Sequence, residues 1–365
     1  MAARTTSPLL TWTSFAPALA VIALVLTWGR DLGTVVVIIV AAVLAGAVLA
    51  AVHHAEVVAH RVGEPFGSLV LAVAVTIIEV ALIVTLMVSG GKDTASLARD
   101  TVFAAVMITC NGIVGLSLFV GAQRYGLISF NAEGTGAALA TVTTLAALTM
   151  VVPTFTTSAP GPEFSSSQLA FAAVASLALY GMFVSTQTFR HRDFFLPVSD
   201  EGLLLEDTHA DPPTTRATLV SLGLLLLSLV AVVGLAKVES PAIEAAVAAA
   251  GFPPSFVGVV IALLVLLPET LAAVRAARRK RIQISLNLAL GSAMASIGLT
   301  IPAIAIASVW LEGPLLLGLG ATQMVLLALT VVVSVLTVVP GRATRLQGGV
   351  HLVLLAAFVF LAINP

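Results

Sequence analysis

The chain has 365 residues, of which 59% are hydrophobic and only 10% charged, with a mean hydropathy of +1.10. Soluble domains carry about 25% charged residues, so this composition belongs in a bilayer. A net charge of -1 supplies no basic field for nucleic acid, and the single cysteine, Cys110, excludes an internal disulfide.

Apolar stretches of roughly 17–25 residues have the length of membrane-crossing helices. In chain order they predict spans at 11–28, 33–52, 66–89, 101–121, 136–153, 166–188, 217–236, 254–274, 285–310, 314–339 and 349–363. The first resembles a secretory signal, but no small-residue cleavage site separates its end from Arg30 and Asp31, so it is read as an uncleaved span. The expected fold is an all-α integral membrane protein of about eleven transmembrane helices. The longest polar stretch, 189–216, carries Asp193, Asp200, Glu201, Glu206, Asp207, His209 and Asp211 beside Pro212 and Pro213, and divides six spans from five.

Charge placement gives an orientation, because loops rich in Lys and Arg stay in the cytoplasm. With the N-terminus inside, 13 of the 17 Lys and Arg fall on cytoplasmic segments, and only Arg30, Lys92, Arg99 and Lys237 lie outside. An odd number of spans then puts the C-terminus outside, in a cell (inner) membrane. Arg275, Arg278, Arg279, Lys280 and Arg281 crowd one cytoplasmic turn, where they fix topology and meet anionic lipid.

Of 18 acidic residues, only Glu79 and Glu269 lie inside predicted spans. A charged carboxylate near mid-bilayer costs about 2.5–3.5 kcal/mol on insertion scales, which marks such residues as functional. They sit five spans apart, on helices that run in opposite directions. Setting the first helix (1–31) aside leaves two five-helix stretches, 32–188 with Glu79 and 217–365 with Glu269, flanking the acidic loop at 189–216. That is the arrangement of an inverted-repeat transporter.

The helix after each Glu helix is small and polar: Cys110-Asn111-Gly112 in one half, and Asn287, Gly291-Ser292, Ser296 and Thr300 in the other. Pro268 and Pro302 have no amide to donate, which frees carbonyls near Leu264 and Gly298. Two carboxylates with hydroxyl, amide and carbonyl oxygens form a hard-oxygen site suited to Ca²⁺, which takes about six to eight such ligands. An empty pair of desolvated carboxyls holds protons, and a bound cation displaces them. Competition for one pair of acids is sufficient for exchange, with Ca²⁺, or else Na⁺ or K⁺, as the transported ion rather than a resident cofactor.

His53, Glu56 and His60 recur at i, i+3 and i+7, a spacing that makes His53 and His60 a candidate proton relay or an ordinary interfacial face. An intramembrane protease lacks support, since no HExxH pattern occurs and no Asp lies in a predicted span. Paired acids on inverted halves also suit alternating access better than a continuous pore.

Gly63-Glu64-Pro65-Phe66-Gly67-Ser68 leading into Val75-Thr76-Ile77-Ile78-Glu79-Val80, then Leu267-Pro268-Glu269 and Asn287-Leu288-Ala289-Leu290-Gly291-Ser292, resemble bacterial calcium/proton antiporters of the Cha type, within the cation/Ca²⁺ exchanger superfamily. The resemblance covers nearly the whole chain. It implies two inverted five-helix repeats plus one extra N-terminal helix, with Glu79 and Glu269 binding cation and protons in turn. Thr76 and Leu266 stand where such repeats often carry Asn; Thr76, Asn111, Asn287, Ser292 and Ser296 are the further candidate ligands.

Overall fold

A computed structural model describes residues 11–63, 66–89, 95–197, 213–310 and 313–365. Eleven helices run through these residues: α1 (Trp12–Thr27), α2 (Thr34–Val62), α3 (Phe66–Ser89), α4 (Leu97–Tyr125), α5 (Ala132–Phe155), α6 (Ser166–Arg190), α7 (Thr215–Ala249), α8 (Phe256–Arg278), α9 (Ile282–Ala307), α10 (Ala321–Val338) and α11 (Arg345–Ile363). Ten are long and apolar enough to cross a membrane, and the sixteen-residue α1 is the shorter eleventh. Glu64, Pro65, Lys92 and the acid-rich run from Asp200 to Asp211 lie outside the described residues.

The helix ends correct the expected boundaries, because a helix keeps its backbone hydrogen bonds where the apolar run has already stopped. α2 continues beyond residue 52 through His53 to Val62. α7 continues beyond 236 through Lys237, Glu239 and Glu244 to Ala249, with Pro241 inside it. α4 starts at Leu97 rather than at the expected 101 and so takes in Arg99 and Asp100. The opposite holds before α10: the stretch expected to be helical from 314 is extended, and its amides are answered from elsewhere. Leu316 N donates to the Ala95 carbonyl, Gly318 N to that of Pro162 and Leu319 N to that of Met150. Backbone groups in an apolar layer need such partners.

The chain divides into two compact units, one formed by residues 1–91 and 210–246 and the other by 92–209 and 247–365. In the first, α1 packs on α2 and α2 on α3. α7 meets α1 at Gly234, where a Cβ would fall within 2.5 Å of the Leu24 side chain. At the end of this unit marked by Arg61, the guanidinium donates to the Pro213 carbonyl at 3.3 Å and to Thr215 Oγ1 at 3.1 Å.

One buried histidine ties three helices of this unit together. Pro17 lies inside α1 and has no amide, so the Thr13 carbonyl four residues earlier loses its helical donor. His54 of α2, 3% exposed, supplies the substitute: Nε2 donates to the Thr13 carbonyl at 3.0 Å, and Nδ1 pairs with Ser221 Oγ of α7 at 3.3 Å. A carbonyl only accepts, so Nε2 carries the proton and Nδ1 accepts from the Ser221 hydroxyl.

In the second unit, small residues let helices approach closely. A Cβ at Gly348 of α11 would collide with the Phe119 backbone of α4, Gly115 faces His351 and Leu352, and Gly258 of α8 lies against the backbone of Asp100 and Thr101. α4 and α5 each contain a π-helical turn, at Ile108–Ile113 and Ala147–Val151. The loops gather at two ends. One end joins Ala95, Pro162, Glu163 and Leu316. The other joins Ile128–Ser129 to Arg342–Ala343 as a short antiparallel pair, with the Tyr125 hydroxyl on the Arg278 carbonyl. That second end carries Arg124, Arg190, Arg192, Arg278, Arg279, Lys280, Arg281, Arg342 and Arg345, all exposed.

His54→Ala is expected to destabilise the protein by about 1–3 kcal/mol, the cost of a buried carbonyl left unanswered. In a Pro17→Ala background much of that loss disappears, because alanine brings the backbone amide that proline lacks and restores the helical bond to Thr13. Thermal unfolding of the four proteins in detergent checks this, and an equal loss in both backgrounds would refute the role given to His54.

Candidate cation and proton site

Glu79 lies midway along α3, about 20 Å from the helix start, and is 4% exposed. Thr76 precedes it by one turn on the same buried face, with Ala74, Val75, Ile78, Leu82 and Ile83, while Val73 and Ile77 are exposed on the opposite side. The apolar side thus faces outward and the carboxylate inward within the first unit. His53, Glu56 and His60 line an exposed face of α2, and the buried histidine is their neighbour His54. Among the described residues no three His, Cys, Asp or Glu side chains converge on one point that could hold a metal ion.

Glu269 belongs to the second unit, on α8, half-buried, with its Oε2 atom closed off. Leu263, Leu267 and Leu271 form the exposed face of this helix, and Val265, Leu266 and Ala273 the buried one. The helix runs unbroken through Pro268, so the Leu264 carbonyl has no amide four residues on. Pro302 has the same effect on the Gly298 carbonyl in α9. α9 packs directly on α8 and brings Ser292, Ser296 and Thr300 alongside; Ser296 and Thr300 are buried. Counting 1.5 Å per residue from the turn joining the two helices, Glu269 stands at about 13 Å, Ser292 at about 15 Å, Ser296 at about 21 Å and Asn287 at only about 8 Å. Ser292 is therefore nearest in depth to the carboxylate, with Asn287 and Ser296 further off to either side.

The two asparagines have structural work of their own. Asn287 Nδ2 donates to the Phe195 carbonyl at 2.7 Å, and its Oδ1 accepts from Gln283 at 2.9 Å; Gln283 in turn accepts from the Asn131 amide. Asn111, in the π turn of α4 and fully buried, links three helices. His351 of α11 donates from Nδ1 to Asn111 Oδ1 at 3.2 Å, and Asn111 Nδ2 donates to Thr330 Oγ1 of α10 at 2.9 Å. The chain is completed by the Thr337 hydroxyl donating to His351 Nε2 at 3.1 Å and the Thr330 hydroxyl to Met107 Sδ at 3.6 Å. An amide oxygen only accepts, which assigns the histidine proton to Nδ1 and makes every bond in the chain point the same way.

Two buried acids escaped the sequence reading because each sits at the edge of an apolar run. Asp100, 4% exposed, takes Arg99 at 2.8 Å on Oδ1 and Ser96 on Oδ2, with Gln323 of α10 at 3.5 Å. Arg99 also donates to the Gly318 carbonyl at 3.1 Å, so this group locks one end of the second unit. Glu239 of α7 is the other. The signal for both was present, as an acid within a turn of a long apolar stretch.

Ten spanning helices, mid-depth acids and proline-freed carbonyls define a multi-pass membrane transporter of the cation-exchanger class. The chain belongs to the family described as sodium/calcium exchanger protein, which matches residues 32–189 and 220–364. Among its relatives, y4hA of Sinorhizobium fredii, an ionic transporter by its provisional name, is 46% identical over 91% of this chain and 89% of its own. The sodium-potassium/proton antiporter ChaA of Escherichia coli K12 is 34% identical over 94% of this chain and 93% of its own. The crystal structure of the H⁺/Ca²⁺ exchanger CAX shares the fold, with a TM-score of 0.68 at 15% identity over 95% of this chain and 86% of that one. These relatives are transporters, and the chain is a transporter rather than an enzyme.

Asn111→Ala is expected to lower stability in detergent by about 2–5 kcal/mol, since it strands both His351 and Thr330. Cation affinity of the folded fraction is expected to stay unchanged, which isothermal calorimetry on the purified variant checks; a loss of affinity without a loss of stability would make Asn111 a ligand instead.

Proposed function

We propose that the chain is a secondary antiporter that moves a cation out of the cytoplasm in exchange for external protons, by alternating access, with Glu79 and Glu269 binding cation and protons in competition. The observation that carries the reading is the placement of one carboxylate at depth in a lipid-facing helix of each family-matched segment, with Thr76 a turn before the first and Ser292 level with the second. The Leu264 carbonyl next to Pro268 adds a further hard oxygen. Asn111 and Asn287 serve packing in this reading.

Two carboxylates neutralise one divalent ion, which favours Ca²⁺. A neutral site also results from one monovalent ion and one proton, and the relation to a sodium-potassium/proton antiporter favours that second reading, Na⁺ or K⁺ exchange at the same acids. The exposed basic end of the second unit faces the cytoplasm by the positive-inside rule, with the N-terminus inside and the C-terminus outside. A cysteine replacing Arg279 is then labelled from the cytoplasm and one replacing Val88 from outside, the native Cys110 being buried.

Glu79→Gln and Glu269→Gln are each expected to abolish proton-coupled cation flux without unfolding the protein, because the amide keeps the shape and loses the charge. ⁴⁵Ca²⁺ and ²²Na⁺ uptake into everted vesicles under an imposed pH gradient reads this out, and wild-type exchange by either variant would sink the mechanism.

Cation affinity is also expected to weaken as pH falls and to reach a plateau once both acids are ionised. The limiting slope of log affinity against pH approaches about two when a divalent ion displaces two protons and about one when a monovalent ion displaces one. Calorimetry with Ca²⁺, Na⁺ and K⁺ in separate titrations distinguishes the two, and affinity independent of pH would exclude competition at these acids.

A further inference from the structure

α7 carries a shielded carboxylate that the exchange site described above does not use. Glu239 is 2% exposed, and its Oε1 atom is closed off with no hydrogen-bond partner among the described residues. Its neighbours along the helix are committed elsewhere. The Lys237 ammonium lies over the Trp28 ring, 5.3 Å from its centroid, and the buried Ser240 hydroxyl donates to Glu244 Oε1 at 3.2 Å. A hydroxyl has one proton to give, so Ser240 has none left for Glu239. A shielded oxygen that no donor answers is costly to leave charged. The protonated acid meets that constraint, because it brings its own proton.

The position of this acid along the helix is informative. α7 has 35 residues and is about 52 Å long, whereas the hydrocarbon layer takes up only about 20 residues. Counted from Arg216, that layer ends near Ala236. Glu239 follows within a turn, beside the Trp28 and Lys237 pair that has the composition of an interfacial belt. It therefore lies at the end of this unit opposite the Arg61 contact with Pro213 and Thr215. Among the described residues, the titratable side chains around that end are Arg30 and Asp31 after α1, and Lys237 and Glu244 on α7 itself. α2 starts at Thr34 and has no ionisable residue before His53, and Glu79 is the one ionisable residue of α3.

We propose that Glu239 is a proton-binding site at the outer mouth of its unit, loaded from the external solution and unloaded toward the membrane interior, where Glu79 of the same unit takes up protons. The step makes and breaks only O–H bonds: the Glu239 carboxyl gives its proton to water on its inner side, becomes a carboxylate, and is reprotonated from outside. This inference rests on the proton-coupled reading given above. It assigns to the proton an entry point that the cation does not share, so the two ions approach the paired acids through different residues.

The test compares two transport modes of the full-length protein in proteoliposomes. Glu239→Gln is expected to lower ⁴⁵Ca²⁺ flux driven by protons from the outer face about a hundredfold, the scale of a lost positioned proton carrier. Exchange of ⁴⁵Ca²⁺ for unlabelled Ca²⁺ at symmetrical pH needs no proton and is expected to stay at the wild-type level, and Glu239→Asp is expected to restore much of the proton-driven flux. Parallel runs with ²²Na⁺ cover a monovalent substrate. An equal fall in both modes assigns Glu239 a purely structural role and overturns the proposal, as does no fall in either. A wild-type protein without any pH-driven cation flux overturns the antiport reading itself, and the role of Glu239 with it.

Discussion

A backbone carbonyl inside a hydrocarbon layer has no water to turn to, and each proline within a helix of this chain orphans one. The protein answers these orphans in different ways, and the differences organise the molecule. The Thr13 carbonyl, freed by Pro17, is claimed by His54, and the claim binds α1 and α2 to α7. The Leu264 carbonyl, freed by Pro268, adjoins Glu269 on a helix with no distortion in its hydrogen-bonded run. The first orphan is satisfied by a permanent side-chain bond and becomes a joint. The second lies within a turn of a carboxylate, and in the proposed function it is one of the oxygens offered to the cation.

The same economy governs the second unit. Glycines at positions 115, 258 and 348 bring backbones within reach of one another, and the polar side chains left between the helices find one another. Asp100 is held by Arg99, Ser96 and Gln323; Asn287 by Gln283 and the Phe195 carbonyl; Asn111 by His351 and Thr330. Polar groups that pair internally rigidify a bundle.

Glu79 and Glu269 stood out in the sequence as acids embedded in long apolar runs, and both lie within long helices, α3 and α8. The sequence also showed the number of helices, since length and hydropathy alone decide that. The ends of α2 and α7 were not legible, because a helix persists in the interfacial zone where polar residues return, and this hid Glu239. Asp100 was hidden for the same reason, at the start of α4. His54 was visible as a residue but not as a joint: its partners lie 41 and 167 positions away in the chain. Asn111 and Ser296 look alike in sequence, as polar groups in apolar helices. Only the packing of α10 and α11 around the π turn shows that Asn111 joins three helices.

The chain of hydrogen bonds from Thr337 through His351, Asn111 and Thr330 to Met107 bears on how tightly an antiporter can couple its ions. A proton wire requires every link to take a proton on one side, release another on the far side and then reset. An amide cannot do so without changing its bonding, and a thioether sulfur has no proton to release. The run is therefore terminated at one end and interrupted in the middle. It provides polar cohesion across three helices while remaining an insulator, so protons cannot leak along it.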